Sequence, residues 1–177
     1  MTDAKEYGKA LFLLTEEENV TDTVLADLKI AKEVLLQNPA YEKLLDTPAL
    51  PKSEKIALIN ESFASLHEIL VNFIKILCEK RAIYHFSKAA DEYLKLYDET
   101  RGIERVEAVT AVAMTKAQCD ALAKKLTMSL DKTIIIKNTV DKSILGGMKL
   151  RYAGIQLDGS VQKRLESFEK SLKNIVI

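Results

Sequence analysis

Residues 97–113, with the sequence YDETRGIERVEAVTAVA, contain the point at which the chain changes from one kind of secondary structure to another. Up to Tyr97, apolar residues recur at spacings of three and four, which is typical of an amphipathic helix. After Gly102, β-branched and apolar residues alternate with polar ones, which predicts a strand over about residues 105–113. Arg101 followed by Gly102 favours a helix end, because a cation complements the helix dipole and glycine tolerates the left-handed conformation. The sequence therefore predicts a helix to Arg101 and β structure beyond it.

Charge and turn residues change at the same position. The chain of 177 residues carries 26 basic and 26 acidic side chains, of which 13 basic and 18 acidic ones precede Gly102 and 13 basic and 8 acidic ones follow Arg101. All three prolines lie before Gly102, and five of the six glycines lie at or after it. These shifts predict two domains, residues 1–101 and residues 102–177.

The first domain is predicted to be a bundle of six helices. The residue before a proline is disfavoured in the α conformation, so Pro39 marks the end of one helix, and Pro51 suits the first turn of another. The six predicted helices are one that begins at Asp3 with Ala4, Tyr7, Leu11 and Leu14 on its apolar face, and then Asp22–Gln37, Tyr41–Leu45, Pro51–Phe63, Leu66–Glu79 and Ile83–Arg101.

The first and fifth helices are more apolar than a surface helix requires. In the fifth, the apolar side chains cover roughly 220° of the circumference, whereas a surface helix needs about 100°. In the first, Phe12 and Leu13 lie outside the main apolar face. Two interpretations follow, and both can hold: these helices lie at the centre of the bundle, or part of their surface forms a groove for a partner helix.

The second domain is predicted to be a small α+β unit. Thr115 and Gln118 match a capping box, which opens a helix that ends near Leu130 with Ala121, Leu122 and Leu126 facing inward. A strand over 133–140 follows, then a bulge at Gly146-Gly147, a hairpin of residues 148–152 and 155–157, and a last helix after Ser160. The apolar face of that last helix consists of Val161, Leu165, Phe168 and Leu172. The fold class is therefore mainly α, with a six-helix bundle followed by a small α+β domain.

Catalytic and cofactor-binding patterns are absent from the sequence. The two histidines, His67 and His85, have no metal-ligand spacing to Cys78, and the two cysteines are expected to be buried apolar side chains. Gly146-Gly147 lacks the lysine of a phosphate-binding loop and leads into a strand, which favours a turn. We expect no enzyme activity, no cofactor and no metal.

The partners are also constrained by composition. The net charge is zero, and the basic residues of the second domain are not interleaved with the aromatic residues that single-stranded nucleic acid requires, so nucleic acid is not an expected partner. The first six residues are too polar for a signal peptide, and the longest dense apolar run, Ile69–Cys78, is about half the length that spans a bilayer. We expect a cytoplasmic protein whose partners are proteins.

Three blocks of sequence resemble the delta subunit of bacterial F-type ATP synthase, the family of the mitochondrial oligomycin-sensitivity-conferring protein. The blocks are YGKALF at residues 7–12, NFIKIL at 72–77 with Lys80-Arg81 after it, and VDKSILGGM at 140–148 continuing to DGSV at 158–161. The resemblance covers the whole chain, and its third block is the most specific.

The resemblance implies a function that composition does not. The family's N-terminal domain binds the N-terminal helix of an alpha subunit of the catalytic head, and its C-terminal domain binds the C-terminal region of the b subunit in the peripheral stalk. Such a stator subunit links the head to the membrane sector and resists rotor torque during ATP synthesis coupled to proton transport, although the sequence leaves proton or sodium open. It is not catalytic, and it reaches the cytoplasmic face of the cell membrane only through the complex.

The resemblance also implies a site. The family's groove lies between the first and fifth helices, so the candidate partner-binding residues are Tyr7, Ala10, Leu11, Leu14, Phe73, Ile74 and Leu77. Which of their faces belong to the groove and which to the core stays open. Gly146, Gly147, Asp158 and Gly159 are expected to determine the fold. The alternative function is a stand-alone helical scaffold or regulator with a different helical partner.

Overall fold

The computed structural model describes residues 3–152 and 154–163, which divide into two compact units between Tyr97 and Asp98. The boundary that the sequence predicts, between Arg101 and Gly102, lies four residues further along the chain. The prediction of a mainly helical chain with a small sheet toward its C-terminal end is confirmed.

The helical unit contains consecutive helices joined by short connections. Their bounds are α1 Asp3–Glu17, α2 Thr21–Gln37, α3 Pro39–Asp46, α4 Lys52–Ser62, α5 Glu68–Glu79 and α6 Phe86–Thr100. The third helix begins earlier than predicted, because Pro39 is the first residue of α3. The backbone amide at the first position of a helix has no partner within the helix, so proline, which has no amide hydrogen, is favoured there. The predicted start of the sixth helix at Ile83 is corrected: Ile83–His85 form a 3-10 turn before α6.

The face that α1 buries matches the predicted one at Ala4 and Leu11, which are each 3% exposed, but differs toward the C-terminal end of the helix. Leu14 is 45% exposed, whereas Phe12, expected outside the main apolar face, is 6% exposed and packs edge-on against Tyr93 at a ring distance of 5.5 Å. The cause is Gly8, where a side chain would clash with the carbonyl oxygen of Ala89 in α6. The close approach of α1 to α6 brings Gly8 and Phe12 inward and leaves Leu14 outside.

Tyr93 lies at the centre of the helical unit and is fully buried. Its hydroxyl donates a hydrogen bond to the backbone oxygen of Thr21 at 3.1 Å and lies 2.8 Å from Oγ1 of Thr15. Burial raises the pKa of Tyr93 to about 12, an effect that the hydrogen bond with Thr15 partly opposes. The buried hydroxyl therefore satisfies its hydrogen bonds and joins α6 to the ends of α1 and α2.

The second unit contains a four-stranded sheet and a helix. Its elements are β1 Ile103–Thr110, α7 Lys116–Leu130, β2 Thr133–Val140, β3 Met148–Tyr152 and β4 Ile155–Asp158, and the strand order is β2-β1-β3-β4. β1 pairs in parallel with β2, and the other pairs are antiparallel. The predicted capping box of Thr115 and Gln118 is confirmed at the start of α7.

Two details of this unit differ from expectation. β1 ends at Thr110, so Val112, expected inside the strand, is 76% exposed. On α7, Leu122 and Leu126 are half-buried, but Ala121 is exposed rather than inward. The segment after β1 is held in place by Asn138, whose side-chain oxygen accepts a hydrogen bond from the amide of Met114 at 2.8 Å. The apolar face predicted for Leu165, Phe168 and Leu172 lies outside the described residues.

Gly147 adopts a left-handed conformation at the bend before β3, with φ of +82°. A Cβ atom there would lie 2.5 Å from the carbonyl oxygen of Gly159 and 2.9 Å from Cα of Ser160. The backbone of this bend also accepts a hydrogen bond at Gly146 O from the amide of Val161. The sequence predicts a turn or bulge at Gly146-Gly147, and the structure has a bend there in which both the left-handed conformation and the close packing of Gly147 require glycine.

Candidate partner-binding groove on the helical unit

The seven predicted groove residues separate into core and surface. Leu11, Phe73, Ile74 and Leu77 are each less than 9% exposed, so they belong to the core of the helical unit. Tyr7 is half-buried, and Ala10 and Leu14 are exposed. A charged substitution at Leu11 would therefore disrupt the core and would not test partner binding.

α1 and α5 meet at Tyr7 and Phe73, whose rings pack edge-on with their centres 6.5 Å apart. Edge-on pairs of this kind stabilise helix contacts beyond simple burial. Phe73 also contacts the ring of Phe86 at 6.2 Å, which connects this pair to the core. The pair of Tyr7 and Phe73 is therefore the floor of any groove between the two helices.

Exposed apolar side chains flank this floor on both helices. On α1 they are Ala10, Leu13 and Leu14, with Leu13 56% exposed. On α5, Ile76 is 50% exposed and Ile69 is half-buried. We call Tyr7, Ala10, Leu13, Leu14, Ile69, Phe73 and Ile76 the α1/α5 groove.

The sequence prediction missed Leu13, Ile69 and Ile76. Ile69 and Ile76 stand four residues before and three residues after Phe73, so they share the side of α5 on which Phe73 lies. The spacing of the sequence therefore shows that Ile69 and Ile76 lie beside Phe73. The spacing does not show that they are exposed, because the apolar arc of α5 is too wide to identify which part of it is buried.

Of the side chains considered for chemistry, His67 and Cys78 have structural roles, whereas Cys119, which was expected to be buried, is only half-buried. Nδ1 of His67 accepts a hydrogen bond from the amide of Ile69 at 3.3 Å and so caps α5. The thiol of Cys78 is buried and donates to the carbonyl oxygen of Leu45 at 3.3 Å, and burial raises its pKa. A protonated, buried thiol is a poor nucleophile, so Cys78 is a packing residue.

Two further findings concern residues 3–152 and 154–163. No group of three His, Cys, Asp or Glu side chains within them is close enough to hold a metal ion. None of the helices in this part of the chain is long and apolar enough to span a membrane.

The second unit has a concave surface of its own. A cavity of about 630 Å³ lies between the segment that follows β1, the start of α7 and the bend at Gly146-Gly147. Two of its apolar lining residues are highly exposed, Val112 at 76% and Leu145 at 79%. We call this the β1/α7 groove.

The fold and the exposed side chains of the α1/α5 groove define a mainly helical chain with an apolar surface open to solvent. A family model described as ATP synthase delta (OSCP) subunit matches residues 4–172. The chain belongs to this family. It is a stator, or peripheral-stalk, subunit of an F-type ATP synthase and is not itself catalytic.

Individual relatives agree with the family. An ATP synthase subunit delta of Clostridioides difficile is 31% identical over 98% of this chain and 97% of the relative, and one of a Geobacillus species is 32% identical over 96% of both. A chain in the cryo-EM structure of the Toxoplasma gondii mitochondrial ATP synthase hexamer matches with a TM-score of 0.71 at 20% identity, covering 97% of this chain and 98% of that one. This last match shows the fold.

Proposed function

We propose that the α1/α5 groove binds the N-terminal helix of an alpha subunit of the catalytic head. Four observations support the proposal: the packed floor of Tyr7 and Phe73, and the exposed side chains of Leu13, Leu14 and Ile76 beside it. A partner helix with apolar residues at positions i, i+3, i+4 and i+7 matches such a surface. In this proposal α1–α6 act as a six-helix bundle on top of the head, at the cytoplasmic face of the bacterial cell membrane.

Burial of the exposed side chains supplies the binding free energy. Leu14 and Ile76 keep about half of their surface in water, and covering the remainder of each contributes about 1 kcal/mol. The floor is already ordered by the contact between Phe73 and Phe86, so little conformational entropy is lost there on binding. The groove is therefore a pre-organised surface.

The test is a titration, followed by calorimetry, in which a peptide with the N-terminal sequence of the alpha partner is added to the full chain. Leu14→Glu and Ile76→Glu each place a charge in the apolar contact and should weaken binding at least tenfold. Leu36→Glu is the matched control, because Leu36 is 63% exposed on α2 and lies outside the groove. Equal loss of binding in the control, or unchanged binding in both groove variants, would contradict the proposal.

We also propose that the second unit binds the C-terminal region of the b subunit through the β1/α7 groove. The observation that supports this site is the pair of exposed apolar side chains, Val112 and Leu145, in a cavity of about 630 Å³. Leu145→Glu should abolish the capture, by the full chain, of a peptide taken from that C-terminal region. Met128→Glu, at a 76% exposed methionine of α7 outside this cavity, should leave capture unchanged; equal effects of the two substitutions would remove the β1/α7 groove as the site.

A further inference from the structure

A small polar cavity of about 260 Å³ lies between the start of α4 and the end of α5. Four cationic residues line it, Lys52, Lys55, Lys75 and Arg81, together with one carboxylate, Glu79. This is an excess of positive charge within the part of the chain that is acidic overall, with 13 basic and 18 acidic residues before Gly102. The lining of the cavity is therefore positively charged, although this part of the chain has a negative net charge.

Lys55 makes this cavity different from a group of surface lysines. The residue is only 8% exposed, and its ammonium donates a hydrogen bond to the carbonyl oxygen of Leu45 at 2.6 Å. An ammonium has three N–H donors, so this bond leaves two further donors. Among the described residues, the acceptor of Lys55 is a neutral carbonyl, and Glu79 is the one carboxylate among the lining residues of the cavity, so an added anion would meet an excess of cations.

The other cations of the cavity are weakly compensated. The ion pair of Lys52 with Glu79, at 2.9 Å, joins side chains that are 67% and 40% exposed, so its contribution is small. Lys75 donates a long hydrogen bond of 3.4 Å to the neutral amide of Asn72. Among the residues that the structure describes, neither Lys75 nor Arg81 forms an ion pair.

The backbone adds positive potential at the same place. Lys52 is the first residue of α4, and no side chain caps that helix: its N-cap, Pro51, has no side-chain donor or acceptor. The first turn of a helix carries a partial positive charge from its unpaired amides. The start of α4 therefore adds to the field of the four side chains, and the carboxylate of Glu54 in its first turn opposes part of that effect.

The cavity is separate from the α1/α5 groove. Successive residues of a helix are about 100° apart, so Lys75 lies about 160° around α5 from Phe73, on the opposite flank. The surface that binds a partner helix and the cavity can thus be occupied independently.

We propose that this cavity binds a multiply charged oxyanion of the phosphate class. The anion accepts hydrogen bonds from the ammonium groups of Lys55 and Lys75 and from the guanidinium of Arg81. Charge-assisted hydrogen bonds from several donors to one anion add both affinity and geometric selectivity over a monovalent ion such as chloride.

The test is a titration of the full chain with sodium phosphate, followed by amide chemical shifts in NMR spectra. Sodium chloride at matched ionic strength provides the control for screening. We expect saturable shifts confined to the start of α4, the second half of α5 and Arg81, with no such shifts in chloride. Shifts that chloride reproduces would overturn the proposal.

Variants locate the site. Lys75→Gln and Arg81→Asn should each weaken phosphate binding about tenfold, because each removes a charged donor. Asparagine is chosen at position 81 because Arg81 has φ of +53°, a conformation that asparagine tolerates. Lys88→Gln, at an exposed lysine of α6 outside the cavity, should leave the affinity unchanged; a loss equal to that of Arg81→Asn would show diffuse attraction and would overturn the site.

Discussion

Buried apolar side chains form one continuous cluster through the helical unit, from Leu11 in α1 to Tyr93 in α6. Among the described residues of the second unit, the buried apolar side chains are Val106, Ala108, Val109, Ile134 and Ile144, and α7 has none. The second unit relies more on backbone geometry and hydrogen bonds, such as the left-handed Gly147 and the three hydrogen bonds of the Asn138 side chain. The helical unit therefore depends mainly on apolar burial, and the second unit depends mainly on conformational constraints.

The largest effect should come from removing core volume in the helical unit. Ile74→Ala truncates a fully buried side chain and should lower the free energy of unfolding of that unit by about 2–5 kcal/mol. Hydrogen exchange resolved by residue checks this, with lost protection expected in α1–α6 and unchanged protection in β1–β3.

Ile76→Ala is the matched control for this prediction. It changes the same residue type in the same helix at a position that is 50% exposed, and its effect should stay within about 1 kcal/mol. Equal destabilisation by the two substitutions would mean that apolar burial does not distinguish these positions.

An intermediate effect is expected from Gly147→Ala in the second unit. The left-handed conformation costs an alanine about 1–2 kcal/mol, and contact with Gly159 and Ser160 adds to that cost. Thermal unfolding and hydrogen exchange of β1–β3 measure the loss.

Gly154→Ala separates the two contributions. Gly154 has a similar φ of +78°, but nothing lies within 4 Å of an added Cβ. It should therefore show only the conformational cost. If Gly154→Ala destabilises the second unit as much as Gly147→Ala, close packing at the bend before β3 contributes nothing.

The effect that is absent at neutral pH, and is therefore the smallest under ordinary conditions, concerns the buried hydroxyl of Tyr93. Its pKa is raised from 10.0 to about 12, so the folded state holds the proton more tightly than the unfolded state. This stabilisation is fully present below pH 10 and is lost as pH rises from 10 to 12, at about 1 kcal/mol for each pH unit. The measurement is urea unfolding of the full chain across that range.

Tyr93→Phe isolates the contribution of this hydroxyl, because phenylalanine cannot ionise. The difference in unfolding free energy between the original chain and Tyr93→Phe should shrink above pH 10. A difference that stays constant to pH 12 would show that the Tyr93 hydroxyl ionises equally well in the folded and unfolded states.

Several elements were predictable because their signals are local. The bounds of β2, the capping box of α7 and the change of chain direction at Gly146-Gly147 depend on the residues at those positions and their immediate neighbours. The 3-10 turn at Ile83–His85 was not predicted, since apolar spacing does not distinguish a single 3-10 turn from the first turn of an α-helix. Strand order was not predicted either, because pairing joins residues far apart in sequence.

The α1/α5 groove shows the same division at a single site. The amphipathic patterns and the family resemblance identified the two helices, but four of the seven candidate residues, Leu11, Phe73, Ile74 and Leu77, are core. Spacing identifies the apolar arc of a helix, and neighbouring elements decide which part of that arc is covered. In α1, the close contact of Gly8 with α6 determines which apolar side chains are buried.

The sequence by itself therefore determined the change from helix to strand after Arg101, the types of most elements and the family. Periodicity, capping and turn preferences act over a few residues, so they can be read without a fold. Only the tertiary structure decided which apolar side chains stay exposed for a partner and that Lys52, Lys55, Lys75 and Arg81 line one cavity. Both are properties of packing between helices that are distant in sequence.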